Sequence, residues 1–193
     1  MEWVMGIVPV VLLVLGFPIF IILLATAAII LMIFAPVPPM AMHINMFGSV
    51  DKFALMAVPF FIFAGEIMGH GGISKRIVAW VLSIIGGVRG SLALTTVGTC
   101  TVFGAISGSS PATVAAVGRL LYGPLRNAGY NEKFSSGLLA SSGAIAIVIP
   151  PSISMILYGA SAEQSVALLF VAGVIPGLIM AALMAAYIYA FAL

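Results

Sequence analysis

The chain has 193 residues, of which 63% are hydrophobic and only 6% charged, with a mean hydropathy of +1.31 and a formal net charge of +2. Soluble domains carry about 25% charged residues, so seven basic and five acidic side chains exclude a water-solvated globule and leave no phosphate-binding face for nucleic acid. The composition is that of an integral membrane protein. A single cysteine, Cys100, excludes an internal disulfide and a cysteine-based metal cluster, and its apolar surroundings predict a buried thiol.

Met1-Glu2-Trp3 has no basic region, and no small-residue cleavage site follows, so the N-terminal apolar stretch is expected to stay in the membrane. Val4 to Ala35 is uncharged and as one helix would be about 48 Å long, well beyond a hydrocarbon core of about 30 Å. Gly16-Phe17-Pro18 is the natural break, giving two short helices or one kinked span. Pro36 to Lys52 reads as a loop, and His43, with no metal-ligating residue type at helical spacing from it, reads as a surface histidine. Residues 1–52 thus form an N-terminal membrane segment and loop.

Phe53 to Gly69 reads as the next span, kinked at Pro59, with Glu66 near its exit. An acid within a span is a functional candidate, and one turn from the end it also reaches headgroup water. Ile73 to Val88 begins with Lys75 and Arg76 and carries Trp80, the pattern of a helix lying in the interface. Residues 53–88 are therefore a scaffold helix plus an interfacial arm.

Between Arg89 and Arg119 lie 29 uncharged residues, interrupted by Ser107-Gly108-Ser109-Ser110-Pro111. Ser109 or Ser110 can cap a new helix with Pro111 in its first turn, where the missing proline donor costs nothing. A lipid-facing second leg would place Arg119 near mid-membrane, costing about 2.5–3.5 kcal/mol. A re-entrant hairpin over 89–128 removes much of that cost and brings Arg89, Arg119, Arg126 and Lys133 toward one surface, cytoplasmic by charge bias. The other reading is two spans with Arg119 buried against protein. A polar tip at membrane depth requires a protein or aqueous cavity around it.

Residues 134–158 form a second irregular segment, with Ser141-Ser142-Gly143 followed by Pro150-Pro151. The prolines leave the carbonyls of Ala146 and Ile147 without helical donors. Such freed carbonyls beside hydroxyls and half-helix ends suit a sodium ion and an anionic substrate; a proline kink that serves only packing is the competing reading. Residues 89–161 form the transport part, and 162–193, with its long apolar run from Val166, a scaffold helix. The fold class is an all-α, polytopic integral membrane protein.

Asp51-Lys52-Phe53 through Met68, Gly71-Gly72-Ile73, Phe103 through Ser110, and Ile149-Pro150-Pro151-Ser152 with Tyr158-Gly159 together resemble the large membrane subunit of TRAP (tripartite ATP-independent periplasmic) transporters. The four pieces occur in family order over nearly the whole chain. The resemblance implies an elevator-type inverted-repeat fold, of which this chain is one repeat, in a bacterial or archaeal inner membrane. It implies sodium-coupled import of carboxylate solutes such as C4-dicarboxylates, other organic acids or sialic acid. A periplasmic substrate-binding protein and a small membrane subunit are the implied partners, beside membrane lipid, and sodium is the coupling ion, with no other cofactor.

Carried over, the hairpin tip is Ser107, Gly108, Ser109, Ser110 and Pro111, and the broken helix runs from Ser141, Ser142 and Gly143 through Ala146, Ile147, Pro150 and Pro151. Together they would form one sodium site and half of a substrate cavity, with Ser109 and Ser110 as candidate sodium ligands. Lys75 to Val88 would be the arm. Family members are about twice this length, and no second Ser-Gly-Ser-Ser pattern occurs here, so the chain reads as an N-terminal half. A truncated assembly subunit without transport of its own is the competing reading. A serine hydrolase is disfavoured, because His43 and His70 lie outside the serine-rich segments and Gly104 to Gly108 does not fit a nucleophile elbow.

Overall fold

A computed structural model describes residues 2–34 and 38–191. It is helical, with no strand among the described residues, and divides into two compact units, 1–51 and 52–193.

In the first unit, helices α1 (Glu2–Val14) and α2 (Ile19–Phe34) pack on each other. They are separated at the expected break, with Gly16 at φ +80 and Pro18 preceding the new helix. Two helices therefore replace the single kinked span. The loop expected over 36–52 is corrected: Pro39–Val50 forms helix α3, while Pro36 and Val37 lie outside the described residues. The reason is local. Pro39 opens the helix, where its fixed φ is already helical and its missing N–H is not needed, so the proline cluster starts structure instead of preventing it. His43 is exposed on this helix.

In the second unit, a 3₁₀ turn, Phe53–Met56, runs into α4 (Ala57–His70). The 18 residues are long and apolar enough to cross a membrane. Pro59 sits in the first turn of α4, so the departure from α geometry is the 3₁₀ turn before it. Lys52 Nζ meets Glu163 Oε1 at 3.1 Å, an exposed pair across 111 residues that contributes at most about 1 kcal/mol. Helix α5 (Ile73–Ile85) buries Ser74, Ile77 and Val81, spaced three and four apart, and exposes Trp80 and Ile84. That one-sided pattern is an amphipathic helix.

Helix α6 (Ser91–Ser107) is the centre of the unit, packed against α5, α7 (Ser110–Asn127), α8 (Glu132–Val148) and α10 (Val166–Phe191). Its buried Val97, Cys100 and Phe103 meet Val117, Leu121 and Leu125, a stripe of period four on α7, and Leu138, Leu139 and Ile145 of α8. Small residues set the spacing. A Cβ on Gly98 would lie 2.8 Å from Val81, and one on Gly104 would lie 2.6 Å from the Ala146 Cβ. Such close backbone approach is how apolar helices associate where lipid removes the hydrophobic driving force. Helix α9 (Ile153–Ser161) bends 44° from α8 across a four-residue break, and α10 is a 26-residue span with large apolar residues exposed along its length.

Candidate functional site

The hairpin tip follows from local rules. Helix α6 ends at Ser107, and Gly108, at φ +63, caps it by donating its N–H to the Gly104 carbonyl at 2.8 Å. Ser109 is extended, and its Oγ accepts the Ala112 N–H at 3.4 Å, with Pro111 in the first turn of α7. Capping by Ser109 agrees with the sequence reading. Thr113 Oγ1 donates to the Ser109 carbonyl at 2.8 Å. With that proton committed, Thr113 Oγ1 is an acceptor for the Ser107 hydroxyl at 3.0 Å, the shorter of the two contacts that hydroxyl makes, the other being the Ser109 carbonyl at 3.4 Å; Ser107 Oγ in turn accepts the Ser109 N–H at 3.4 Å. Ser107 and Thr113 are both fully buried, so this closed ring of bonds holds the tip rigid.

The break in the second segment meets that tip. Ile149 donates to Ile145 as the last bond of α8, and Pro150 and Pro151 stand where donors to the Ala146 and Ile147 carbonyls would be. Helix α9 then restarts, and its first amide, Ile153 N–H, donates to the Gly108 carbonyl at 3.1 Å. A Cβ on Gly108 would lie 2.9 Å from the Pro151 oxygen, so only glycine permits this approach. Ser152 stands at the N-cap of α9 but makes no capping bond, and its Oγ is buried without any partner. From α4, Gly65 closes the other side, its Cβ position 3.2 Å from that of Ser107.

Of the expected site residues, the structure therefore brings together Ser107, Gly108, Ser109, Ser110 and Pro151. Gly143 joins them, facing Val114 and the Ser110 carbonyl. Ser141 and Ser142 do not join. Ser141 is exposed in a separate cavity of about 260 Å³ with Lys133, Met184 and Tyr187, and the buried Ser142 hydroxyl donates to Met184 Sδ at 3.4 Å. They precede the end of α8 by six and seven residues, about 10 Å along the axis. Ala146 turns its Cβ to Gly104, and Ile147 is exposed. Arg119 is exposed halfway along α7, about 10 Å along the axis from Arg126, and lines a cleft with Glu66 and Lys75.

Three residues at the junction lie outside the expected set. Ser152 follows a proline pair and precedes a helix, the signature of an N-cap, and Thr113 lies four residues after Ser109, within reach of its carbonyl. Gly65 carries no signal in its own neighbourhood. The oxygens gathered here are neutral hydroxyls and carbonyls, hard ligands that suit an alkali cation. The described residues hold no group of three His, Cys, Asp or Glu side chains able to bind a metal ion.

The family model described as tripartite ATP-independent periplasmic transporter, DctM component, matches residues 7–193. The chain belongs to that family. It is 38% identical over 164 residues to the C4-dicarboxylate TRAP transporter large permease protein of Pseudomonas aeruginosa, covering 85% of this chain and 38% of that protein. Against the ectoine/5-hydroxyectoine TRAP transporter large permease protein of Ruegeria pomeroyi it is 43% identical over 185 residues, 95% of this chain and 43% of the relative. Against the isethionate TRAP transporter permease protein of Oleidesulfovibrio alaskensis it is 46% identical over 143 residues, 74% and 22% of the two chains. The chain spans less than half the length of these relatives. The resemblance read from the Phe103–Ser110 and Ile149–Ser152 stretches is borne out, and the relatives it points to are named as TRAP transporter permease proteins.

Proposed function

We propose that this chain contributes one repeat of a sodium-coupled permease that imports a small carboxylate solute, handed over by a periplasmic binding protein and stabilised in the membrane by a small subunit. The junction of Gly108 with the α8–α9 break forms one sodium site and one wall of the substrate cavity. The observation that carries this reading is the buried, unpartnered Ser152 hydroxyl beside the Gly108–Ile153 bond. An orphaned buried hydroxyl costs about 1–3 kcal/mol, and a cation held among Ser109, Ser110, Ser152 and the freed Ala146 and Ile147 carbonyls removes that cost. The relatives are named for C4-dicarboxylate, ectoine and isethionate, solutes that share an anionic carboxylate or sulfonate group, which supports a small solute with such a group as cargo.

Uptake is measured in proteoliposomes carrying the complete permease with its small subunit and binding protein. Ser109→Ala combined with Ser110→Ala is expected to lower sodium-dependent uptake at least tenfold, the effect of losing about 1.4 kcal/mol of ion binding, with insertion unchanged. Unaltered uptake with unaltered sodium dependence would refute the assignment. Ser152→Ala separates the ion from the scaffold. In sodium-free buffer it should leave the melting temperature unchanged or slightly raised, because an unpaired polar atom is removed. In sodium it should lose the stabilisation that bound ion confers, about 2.7 kcal/mol at a hundredfold excess over Kd. Equal sodium-induced shifts in both proteins would exclude Ser152 as a ligand.

A further inference from the structure

A second cleft, of about 240 Å³, lies between the end of α4, the start of α5 and the middle of α7, lined by Glu66, His70, Ser74, Lys75 and Arg119 and floored by small residues such as Ala116. Helix α5 opens with Gly72 at its N-cap in the left-handed conformation, and no side chain caps it. Its first N–H groups are the orphan donors that make a helix N-terminus an anion site. Ser74, in that first turn, is 3% exposed, lines the cleft and makes no side-chain hydrogen bond within the described residues. A nine-tenths-buried serine that makes no side-chain hydrogen bond and lines the cleft at the mouth of an uncapped helix is an independent sign that something polar belongs there. Lys75 and Arg119 add two cationic side chains.

Glu66 narrows the choice. Its carboxylate lines the same cleft, with Oε1 3.4 Å from His70 Nδ1, and it repels a simple anion. A ligand that carries a phosphate and an ammonium group together gives each charged side chain an opposite partner: the phosphate meets the α5 amides, Ser74, Lys75 and Arg119, and the ammonium meets Glu66. The position along α4 selects the source. Glu66 and His70 end an 18-residue apolar span, next to an amphipathic helix exposing Trp80, which is the level of lipid headgroups. Ile67 and Ile73 are exposed beside the cleft and offer a path for acyl chains. We propose that this cleft binds the headgroup of an aminophospholipid, with its phosphodiester on the α5 N-terminus and its amine on Glu66.

Native mass spectrometry of the detergent-solubilised full chain, given phosphatidylethanolamine or phosphatidylglycerol, tests this directly. The unmodified chain should retain phosphatidylethanolamine about tenfold better. Lys75→Gln with Arg119→Gln should lower that retention about tenfold, as for loss of a charge-assisted hydrogen bond, whereas Lys75→Arg should keep it. Glu66→Gln should erase the preference between the two lipids without abolishing binding, and it decides the matter even should the double variant fail to fold. Circular dichroism checks folding. Equal retention of both lipids by the unmodified chain, or equal retention by the charge variants, would overturn the proposal. Soluble phosphoethanolamine should not displace the lipid, and displacement at matched concentration would overturn the lipid source.

Discussion

Gly108→Val is expected to separate the hairpin tip from the broken helix and to abolish sodium-dependent uptake by the complete transporter. Two costs add. The residue sits at φ +63, a left-handed conformation that costs a side-chain-bearing residue about 1–3 kcal/mol, and a β-branched one the most. Its Cβ would also stand 2.9 Å from the Pro151 oxygen, closer than real Cβ contacts allow, and 3.3 Å from the Ile153 nitrogen, tighter than most of them. The tip must then withdraw, and the Ile153 N–H to Gly108 bond at 3.1 Å is lost for about another 1 kcal/mol. A destabilisation of about 2–4 kcal/mol follows from these terms, measured as a fall in the melting temperature of the detergent-solubilised chain. Gly108→Ala, without the branched carbon, should fall between the two. A valine variant that melts and transports like the unmodified protein would show that the tip and the break do not act as one unit.

What the sequence discloses here divides along the distance between partners. The cap at Ser109, the helix start at Pro111 and the end of α8 before Pro150 are written in neighbouring residues, because a cap or a missing amide acts within one turn. The same locality explains the one misplaced element: Pro36 to Pro39 reads as a breaker until it is placed at N1, where proline starts a helix. Residues whose meaning depends on a distant partner are silent. Gly65 matters because Ser107 packs on it, and Ser152 because Gly108 arrives beside it. Ser141 and Ser142 mislead for a related reason. Helix α8 packs against α6, α7 and α10, so no single apolar stripe reveals which of its serines faces the tip. Arg119 was grouped with the basic helix ends by charge alone, whereas its place halfway along α7 gives it Glu66 and Lys75 as neighbours in the cleft.

The approach of α6 to α8 that supports the site is equally invisible in sequence, and it yields the second large effect. Gly104→Leu is expected to unpack α6 from α8. A Cβ at position 104 would lie 2.6 Å from the Ala146 Cβ and 2.8 Å from its Cα, so the added atoms meet backbone that cannot rotate away. Overpacking in a filled core costs about 1–3 kcal/mol when side chains can adjust, and here the helices themselves must move. Ala146 lies two residues from the end of α8, so the shift passes to the Pro150–Ser152 break and to the tip bonded to it. Cys100, one turn earlier on α6, is fully buried and is the only thiol. It should resist maleimide in the unmodified chain and react rapidly in the leucine variant. Gly104→Ala should give an intermediate rate, and adding Ala146→Gly should slow it again, since the exchange removes the nearest contacting atom and leaves the Cα and backbone nitrogen. That recovery, compared with the effect of Ala146→Gly alone, closes a double-mutant cycle that gives the coupling of the pair. Unchanged thiol protection in Gly104→Leu would mean that α6 and α8 have room to spare, and that the geometry of the break does not depend on their contact.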